Sequence, residues 1–226
     1  MCVHVVNRGN HRDEVFRKRG DYEAFLTLME EACQRLPMRI LAYCLMPNHF
    51  HLVLWPFGDT DLGRWMQWLM TAHVRRYHRH YGTDGHVWQG RFKAFPIQQD
   101  EHLLTVLRYV ERNPLRAKLV ARLEDWPWSS LATWSRGRPP EFFASSPLDR
   151  PADWLRHINE PDEHTELAAL RRCANRGTPW GNPNWVADVA TRLGLQPTLR
   201  DRGRPRRDRA QKGDSPLFSR KNIEKT

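Results

Sequence analysis

Long apolar runs and paired cysteines are both missing from this chain of 226 residues. No run of about 18 apolar residues occurs, so we predict no membrane-spanning helix. The N-terminal segment turns polar too early for the apolar core of a secretory signal. The four cysteines share no C-x-x-C spacing, which argues against a thiolate zinc site and against a disulfide scaffold. The sequence therefore predicts a cytoplasmic protein with reduced thiols.

Acidic residues are also in deficit, which leaves a formal net charge of +10 and a pI of about 9.9. Such a surplus of positive charge favours a polyanionic partner, most often nucleic acid. Most of the cations are arginines, whose planar fork matches phosphate oxygens better than lysine does. A basic protein without such a partner is the alternative. The hydrophobic fraction of 40% indicates a folded chain.

Apolar spacing divides the first part of the chain into alternating strands and helices. We predict strands at 3–7, 38–45, 49–55 and 91–98, and helices at 21–36, 61–80 and from 100 to just before 114. The order β-α-β-β-α-β-α is the split βαβ pattern. We therefore predict an α+β fold, a ferredoxin-like antiparallel sheet with helices on one face.

Composition changes after residue 134 and suggests three further segments. Residues 135–162 are rich in proline and are predicted to form a linker, with a loosely packed crossing segment as the alternative. Residues 163–200 carry two short helical patterns, which predict a small helical C-terminal region. Residues 201–226 are basic and low in apolar residues, so we expect a disordered tail. Residues 1–134 form the main predicted domain.

His49 and His51 lie two residues apart in a predicted strand, so both point to the same face. Two imidazoles on one face can bind one divalent cation; a pair of half-exposed histidines without a metal is the alternative. No H-E-x-x-H or C-x-x-C motif supplies further ligands. Substrate phosphate oxygens often complete the coordination of Mg²⁺ or Mn²⁺, so the pair favours a phosphodiester substrate.

A tyrosine on the third predicted helix is a candidate nucleophile. Leu103, Leu107 and Val110 form the apolar face of that helix, and Tyr109 falls about 120° or more away from it. Asn113 follows one helical turn later. A phenol with an ordinary pKa is about 4 kcal/mol short of full ionisation at pH 7, a gap that a metal ion and nearby cations can offset. A surface tyrosine without a chemical role is the alternative.

Four motifs, in this order and spacing, carry a resemblance to a known family. They are "LMPNHFHLVL", "GHVWQGRFKAFPI", "LRYVERNPLRAKLV" and "WPWSS". Together they resemble the REP-associated tyrosine transposases, which are single-tyrosine HUH nucleases related to small insertion-sequence transposases. HUH denotes histidine, hydrophobic residue, histidine. The likeness covers about residues 3–134, and residues 170–207 are similar to the C-terminal extension of one branch of that family.

This resemblance implies a metal-dependent DNA endonuclease and strand transferase. Mg²⁺ or Mn²⁺ would be held by His49 and His51, with Asn113 as the third protein ligand. Tyr109 would attack single-stranded DNA and leave a 5′-phosphotyrosine and a free 3′-OH. Substrates in the family are palindromic hairpin repeats flanked by a short single-stranded tag. We therefore expect a nucleoid-associated protein, monomeric or homodimeric.

Two features depart from the family pattern. The chain starts almost at the first strand, so we expect either a truncated strand or a misassigned start. Lys118 stands where the family often has glycine, which affects a turn rather than the chemistry. Trp88 either stacks on a base or packs in the core.

Predicted DNA contacts are cations and amides that lie near aromatic residues or in basic stretches, where they can hold phosphates and unpaired bases. They are Asn7, Arg8, Arg75, Arg76, Arg79, Arg91 and Lys93. For residues 75–79 a solvated helix face is the alternative. Two other functions compete with strand transfer: a hairpin DNA- or RNA-binding module that does not cleave, and a metal-dependent phosphodiesterase that uses water.

Overall fold

A computed structural model describes residues 1–135, 137, 140, 142–161 and 163–200 of the chain. The predicted tail at 201–226 lies outside these residues. Four antiparallel strands form one sheet: β1 (Cys2–Arg8), β2 (Arg39–Met46), β3 (His49–Trp55) and β4 (Lys93–Ile97). Their order in the sheet is β2-β3-β1-β4. The predicted α+β fold with an antiparallel sheet is confirmed.

Helices connect and follow these strands. In the first part of the chain they are α1 (Arg19–Arg35), α2 (Asp61–Tyr81), α3 (Glu101–Glu111), α4 (Asn113–Arg116) and α5 (Ser130–Ser135). The C-terminal part adds α6 (Trp154–Asn159), α7 (His164–Arg176), α8 (Pro183–Leu193) and α9 (Gln196–Leu199). Asp100 caps α3, because its carboxylate accepts the backbone N–H of His102 at 3.0 Å.

Helices cover both faces of the sheet, which differs from the predicted single face. Along β3, Phe50, Leu52 and Leu54 point to the first face, where they pack with α1 and α2. Val53 points to the second face, where the core also includes side chains of α3, α6 and α7. Within the described residues, α1 and α2 share one face of the sheet, whereas α3, α6 and α7 lie on the other. The second face needs its own cover because its strand residues are also apolar.

The predicted linker at 135–162 contains part of this second core. Trp154 and Ile158 of α6 are buried in the same cluster as Leu107 of α3. The Nε1–H of Trp154 donates to the Glu111 carboxylate at 2.8 Å. The segment also packs before Trp154, because the Ala144 N–H donates to Ile40 O of β2 at 3.0 Å. The domain boundaries themselves stay a prediction.

The backbone conformation at Lys118 is one that suits glycine. Its φ of +56° lies in the left-handed region that glycine adopts without steric cost. It follows the end of α4, where its N–H donates to Leu115 O at 3.0 Å.

The four cysteines are unpaired. Among the described residues, no helix is long and apolar enough to cross a membrane.

Candidate functional site

A cleft of about 670 Å³ opens on the second face of the sheet, between β1, β3, α3 and α7. It brings together eight of the eleven residues predicted as site residues. These are Asn7, Arg8, His49, His51, Arg91, Lys93, Tyr109 and Asn113. Residues that are distant in sequence therefore line one cavity.

Strand pairing places the two histidines of β3 against β1. Arg8 lies directly across from His49, and Val6 from His51. The imidazole rings of His49 and His51 have centroids 5.1 Å apart. The alternation predicted for β3 is confirmed, since Phe50 is buried on the opposite face.

Each histidine has its Nδ1 atom engaged. His49 Nδ1 lies 2.6 Å from Asn48 Oδ1, and His51 Nδ1 lies 2.8 Å from Nε2 of His4. A ring whose Nε2 binds a cation carries its proton on Nδ1. Asn48 Oδ1 can accept that proton from His49, and His4 Nε2 can accept it from His51 when His4 carries its own proton on Nδ1. Both rings thus suit metal binding through Nε2.

His4 was missed by the sequence reasoning. It is fully buried on β1, and its ring packs against His51, Phe95 and Tyr109. Its only signal in the sequence was a histidine within the apolar strand "VHVV". The local pattern could not reveal its partner, because the pairing of β1 with β3 spans almost fifty residues.

Burial keeps these imidazoles neutral. It lowers the pKa of His4 from 6.5 to about 3. Burial, with a smaller contribution from the Arg8 charge, lowers the pKa of His49 from 6.5 to about 4. Burial, followed by His4 and His49, lowers the pKa of His51 well below 6.5. Neutral imidazoles are the form that binds metal ions.

Tyr109 lies closer to the core than the helical pattern predicted. Only 7% of it is exposed, and its ring meets that of His51 edge-on at 5.7 Å between centroids. The prediction of a tyrosine outside the buried face is therefore wrong. The buried face of α3 is wider than its apolar residues indicate, because at Tyr109 the strands present His4 and His51 rather than aliphatic side chains.

Asn113 and Arg116 hold the end of α3 at the cleft. The Asn113 amide donates to the carbonyls of Tyr109 and Val110 at 3.2 and 3.1 Å, which leaves Oδ1 to accept a ligand. The guanidinium of Arg116 donates to the Tyr109 carbonyl and lies 4.6 Å from the centroid of its ring. Arg116 was not predicted, although "NPLR" places a cation three residues beyond Asn113.

The predicted DNA contacts separate into two groups. Arg8, Arg91 and Lys93 line the cleft. Asn7 also lines it, but its side chain donates to Gly90 O at 3.1 Å and so holds the loop that carries Arg91.

The α2 arginines form the second group. Arg75, Arg76 and Arg79 line a separate groove of about 320 Å³ with Trp68. Helix α2 packs on the first face of the sheet, so this basic groove lies on the side opposite the histidines. Trp88 is buried in the core, 5.2 Å from the Phe50 ring between centroids.

One other cluster of potential ligands occurs in the described part of the chain. Ligand atoms of Asp100, Glu101 and His102 lie within 4.8 Å of one another. Asp100 caps α3 and also contacts the His102 ring at 2.7 Å. Helix capping accounts for this arrangement without a metal ion.

Comparison with known proteins identifies the family. The model described as "Transposase IS200 like" matches residues 1–113, which is half of the 226 residues. The chain therefore belongs to the IS200-like transposases.

Its relatives point to one branch of these transposases. A Haemophilus influenzae protein assigned to the REP-associated tyrosine transposases is 28% identical over 117 residues, covering 47% of this chain and 66% of that protein. The chain thus spans slightly less than two thirds of this relative. The REP-associated tyrosine transposase of Escherichia coli is 25% identical over 130 residues, covering 56% of this chain and 73% of the relative. The resemblance predicted from the four motifs is confirmed.

A solved structure shares the fold. It is a REP-associated tyrosine transposase bound to a REP hairpin, with a TM-score of 0.50 and 23% identity. The match covers 66% of this chain and 87% of the solved chain.

Proposed function

We propose that the protein is a metal-dependent endonuclease and strand transferase that cleaves single-stranded DNA through a 5′-phosphotyrosine intermediate. The observation that carries this proposal is the approach of Tyr109 to His51 within a cleft that five cations line. Those cations are Arg8, Arg91, Lys93, Arg116 and Arg171, and among the described residues no carboxylate belongs to the lining. A phosphodiester can therefore enter without facing like charge.

A divalent cation is the cofactor that these residues suit. His49 and His51 keep neutral rings with engaged Nδ1 atoms, and the Asn113 amide leaves an oxygen for a ligand. A site with two imidazoles and one amide oxygen is open, so substrate oxygens can complete it. When bound, Mg²⁺ or Mn²⁺ would polarise the scissile phosphate.

Tyr109 would supply the nucleophile. Its Oη attacks the scissile phosphorus, an O–P bond forms to tyrosine, and the bond from phosphorus to the 3′-oxygen breaks. The phenol loses one proton and the leaving 3′-oxygen gains one, so the products are a 5′-phosphotyrosine and a 3′-OH. The ester keeps the energy of the broken bond for rejoining. The cations of the lining stabilise the charge that develops on the phosphate oxygens.

Palindromic hairpins are the substrates we propose. Support comes from the solved relative, which is bound to a REP hairpin, and from the net charge of +10. A DNA substrate agrees with the predicted location in the cytoplasm at the nucleoid.

A covalent adduct tests the proposal. Hairpin oligonucleotides copied from palindromic repeats that flank the gene, each with a single-stranded tag, would be incubated with protein and Mn²⁺. We expect an adduct that survives denaturing electrophoresis and disappears in Tyr109→Phe. Tyr77→Phe is the matched control, because Tyr77 lies on α2 in the other core.

Two other outcomes would refute the proposal. If the protein cleaves DNA without forming an adduct, and Tyr109→Phe still cleaves, the protein is a phosphodiesterase that uses water. Hairpin binding that is insensitive to EDTA, without any cleaved product, identifies a binding module. Loss of Mn²⁺ binding in His49→Ala and His51→Ala, measured by calorimetry, checks the metal ligands separately from cleavage.

A further inference from the structure

Helix α7 contributes a wall of the cleft, although it lies beyond the residues 1–113 that the family model matches. Leu170, Cys173 and Ala174 form its buried side and pack in the second core with α3 and β4. The helix is therefore held against the sheet rather than attached loosely to it.

The chain after α7 fixes the helix in place. Gly177 ends the helix with a φ of +75°, and a Cβ there would lie 3.2 Å from Ala94 O of β4. Trp180 then pairs with the edge of the sheet. Its N–H donates to Pro96 O at 2.8 Å, and its carbonyl accepts from the N–H of Gln98 at 2.9 Å. These backbone bonds connect the end of α7 to β4.

Two polar side chains of α7 reach the cleft. Arg171 and Asn175 are four residues apart, so they project from the same side of the helix, and both line the cavity that contains Tyr109. Both are exposed, and the described residues provide no ion-pair partner for Arg171. A guanidinium on an open wall can form paired hydrogen bonds to a phosphate.

Arg172 differs from its neighbour in one respect that matters here. It is exposed on the same helix but does not line the cleft. The pair Arg171 and Arg172 therefore separates a local contact from a general effect of charge.

We propose that α7 is part of the DNA-binding site, with Arg171 holding a backbone phosphate of the unpaired strand and Asn175 hydrogen-bonding to the same strand. This inference rests on the proposed function, because it takes the strand attacked by Tyr109 as its ligand. It assigns to the C-terminal segment a direct role in substrate binding.

Equilibrium binding tests the inference without cleavage. A fluorescent tagged hairpin would be titrated with full-length Tyr109→Phe protein, alone and with Arg171→Ala, Arg172→Ala or Asn175→Ala. We expect Arg171→Ala to weaken binding about tenfold and to reduce the salt slope by about 0.7, the value for one phosphate contact on a single strand. Arg172→Ala should stay within about twofold. Asn175→Ala should weaken binding severalfold with the salt slope unchanged, since the amide is neutral.

The outcomes separate the two proposals. Equal effects of Arg171→Ala and Arg172→Ala, or an unchanged salt slope in Arg171→Ala, overturn the role of α7. A midpoint temperature of thermal unfolding equal to that of the Tyr109→Phe parent confirms that each substitution of an exposed residue leaves the fold intact. If wild-type protein forms no adduct but Arg171→Ala shows the expected loss, the role of α7 stands and strand transfer fails. If wild-type protein forms an adduct and Arg171→Ala has no effect on binding, strand transfer stands and the role of α7 fails.

Discussion

The buried ion pair between Arg150 and Glu111 offers a sharp test of how the C-terminal half stabilises α3, the helix that carries Tyr109. The Glu111 side chain is 1% exposed and that of Arg150 is 9% exposed, with Nη2 and Oε1 3.0 Å apart. Trp154 Nε1 donates to the other carboxylate oxygen at 2.8 Å, and Arg150 also donates to Leu41 O at 3.2 Å. The three side chains thus join α3, β2 and the segment around α6.

Removal of one partner leaves a buried charge without compensation. We expect Arg150→Ala to lower the free energy of unfolding by about 3–5 kcal/mol, because the Glu111 carboxylate keeps a single neutral donor. The double variant Glu111→Gln/Arg150→Ala should recover about 1–3 kcal/mol of this loss, since a neutral amide costs less to bury. That recovery would identify the charge, rather than lost packing, as the cause.

Urea denaturation provides the measurement, with midpoint and slope compared across wild type, both single variants and the double variant. Arg156→Ala is the control, because its ion pair with Glu160 is exposed and should contribute less than about 1 kcal/mol. A loss below about 1 kcal/mol in Arg150→Ala, or a double variant less stable than Arg150→Ala, would refute the reasoning.

Two further predictions concern buried histidines. Burial lowers the pKa of His73 from 6.5 to about 3, so the unfolded state binds more protons between these values and stability falls as pH decreases from 6.5 towards 3. At pH 4.5 this one residue should cost about 3 kcal/mol relative to pH 7.5; His73→Leu should remove that part of the pH dependence in urea titrations, and an unchanged dependence would contradict the assignment. His4→Leu should reduce Mn²⁺ affinity about 10–100-fold by removing the hydrogen-bond partner of His51 Nδ1, with partial recovery in His4→Gln. Calorimetric titration that shows wild-type affinity in His4→Leu would exclude a positioning role.

Local patterns in the sequence determined much of the first half of the molecule. Alternation along β3 predicted that His49 and His51 share a face, since side-chain direction in a strand repeats every two residues whatever the tertiary context. The helical spacing from Tyr109 to Asn113 likewise follows from local geometry, and the structure keeps both residues at the same cleft. The β-α-β-β-α-β-α order, itself read from local apolar spacing, predicted the antiparallel sheet.

Tertiary structure alone decided which distant residues meet. The register of β1 against β3 brings His4 to His51. Helical periodicity could not indicate the burial of Tyr109, because the rings that cover it, His4 and His51, come from strands β1 and β3. The net charge did not distinguish the arginines of the cleft from those of α2, which the sheet separates onto opposite faces. Arg171 reaches the cleft only through the packing of α7 on β4. Such contacts depend on chain segments far apart in sequence, so no local pattern specifies them.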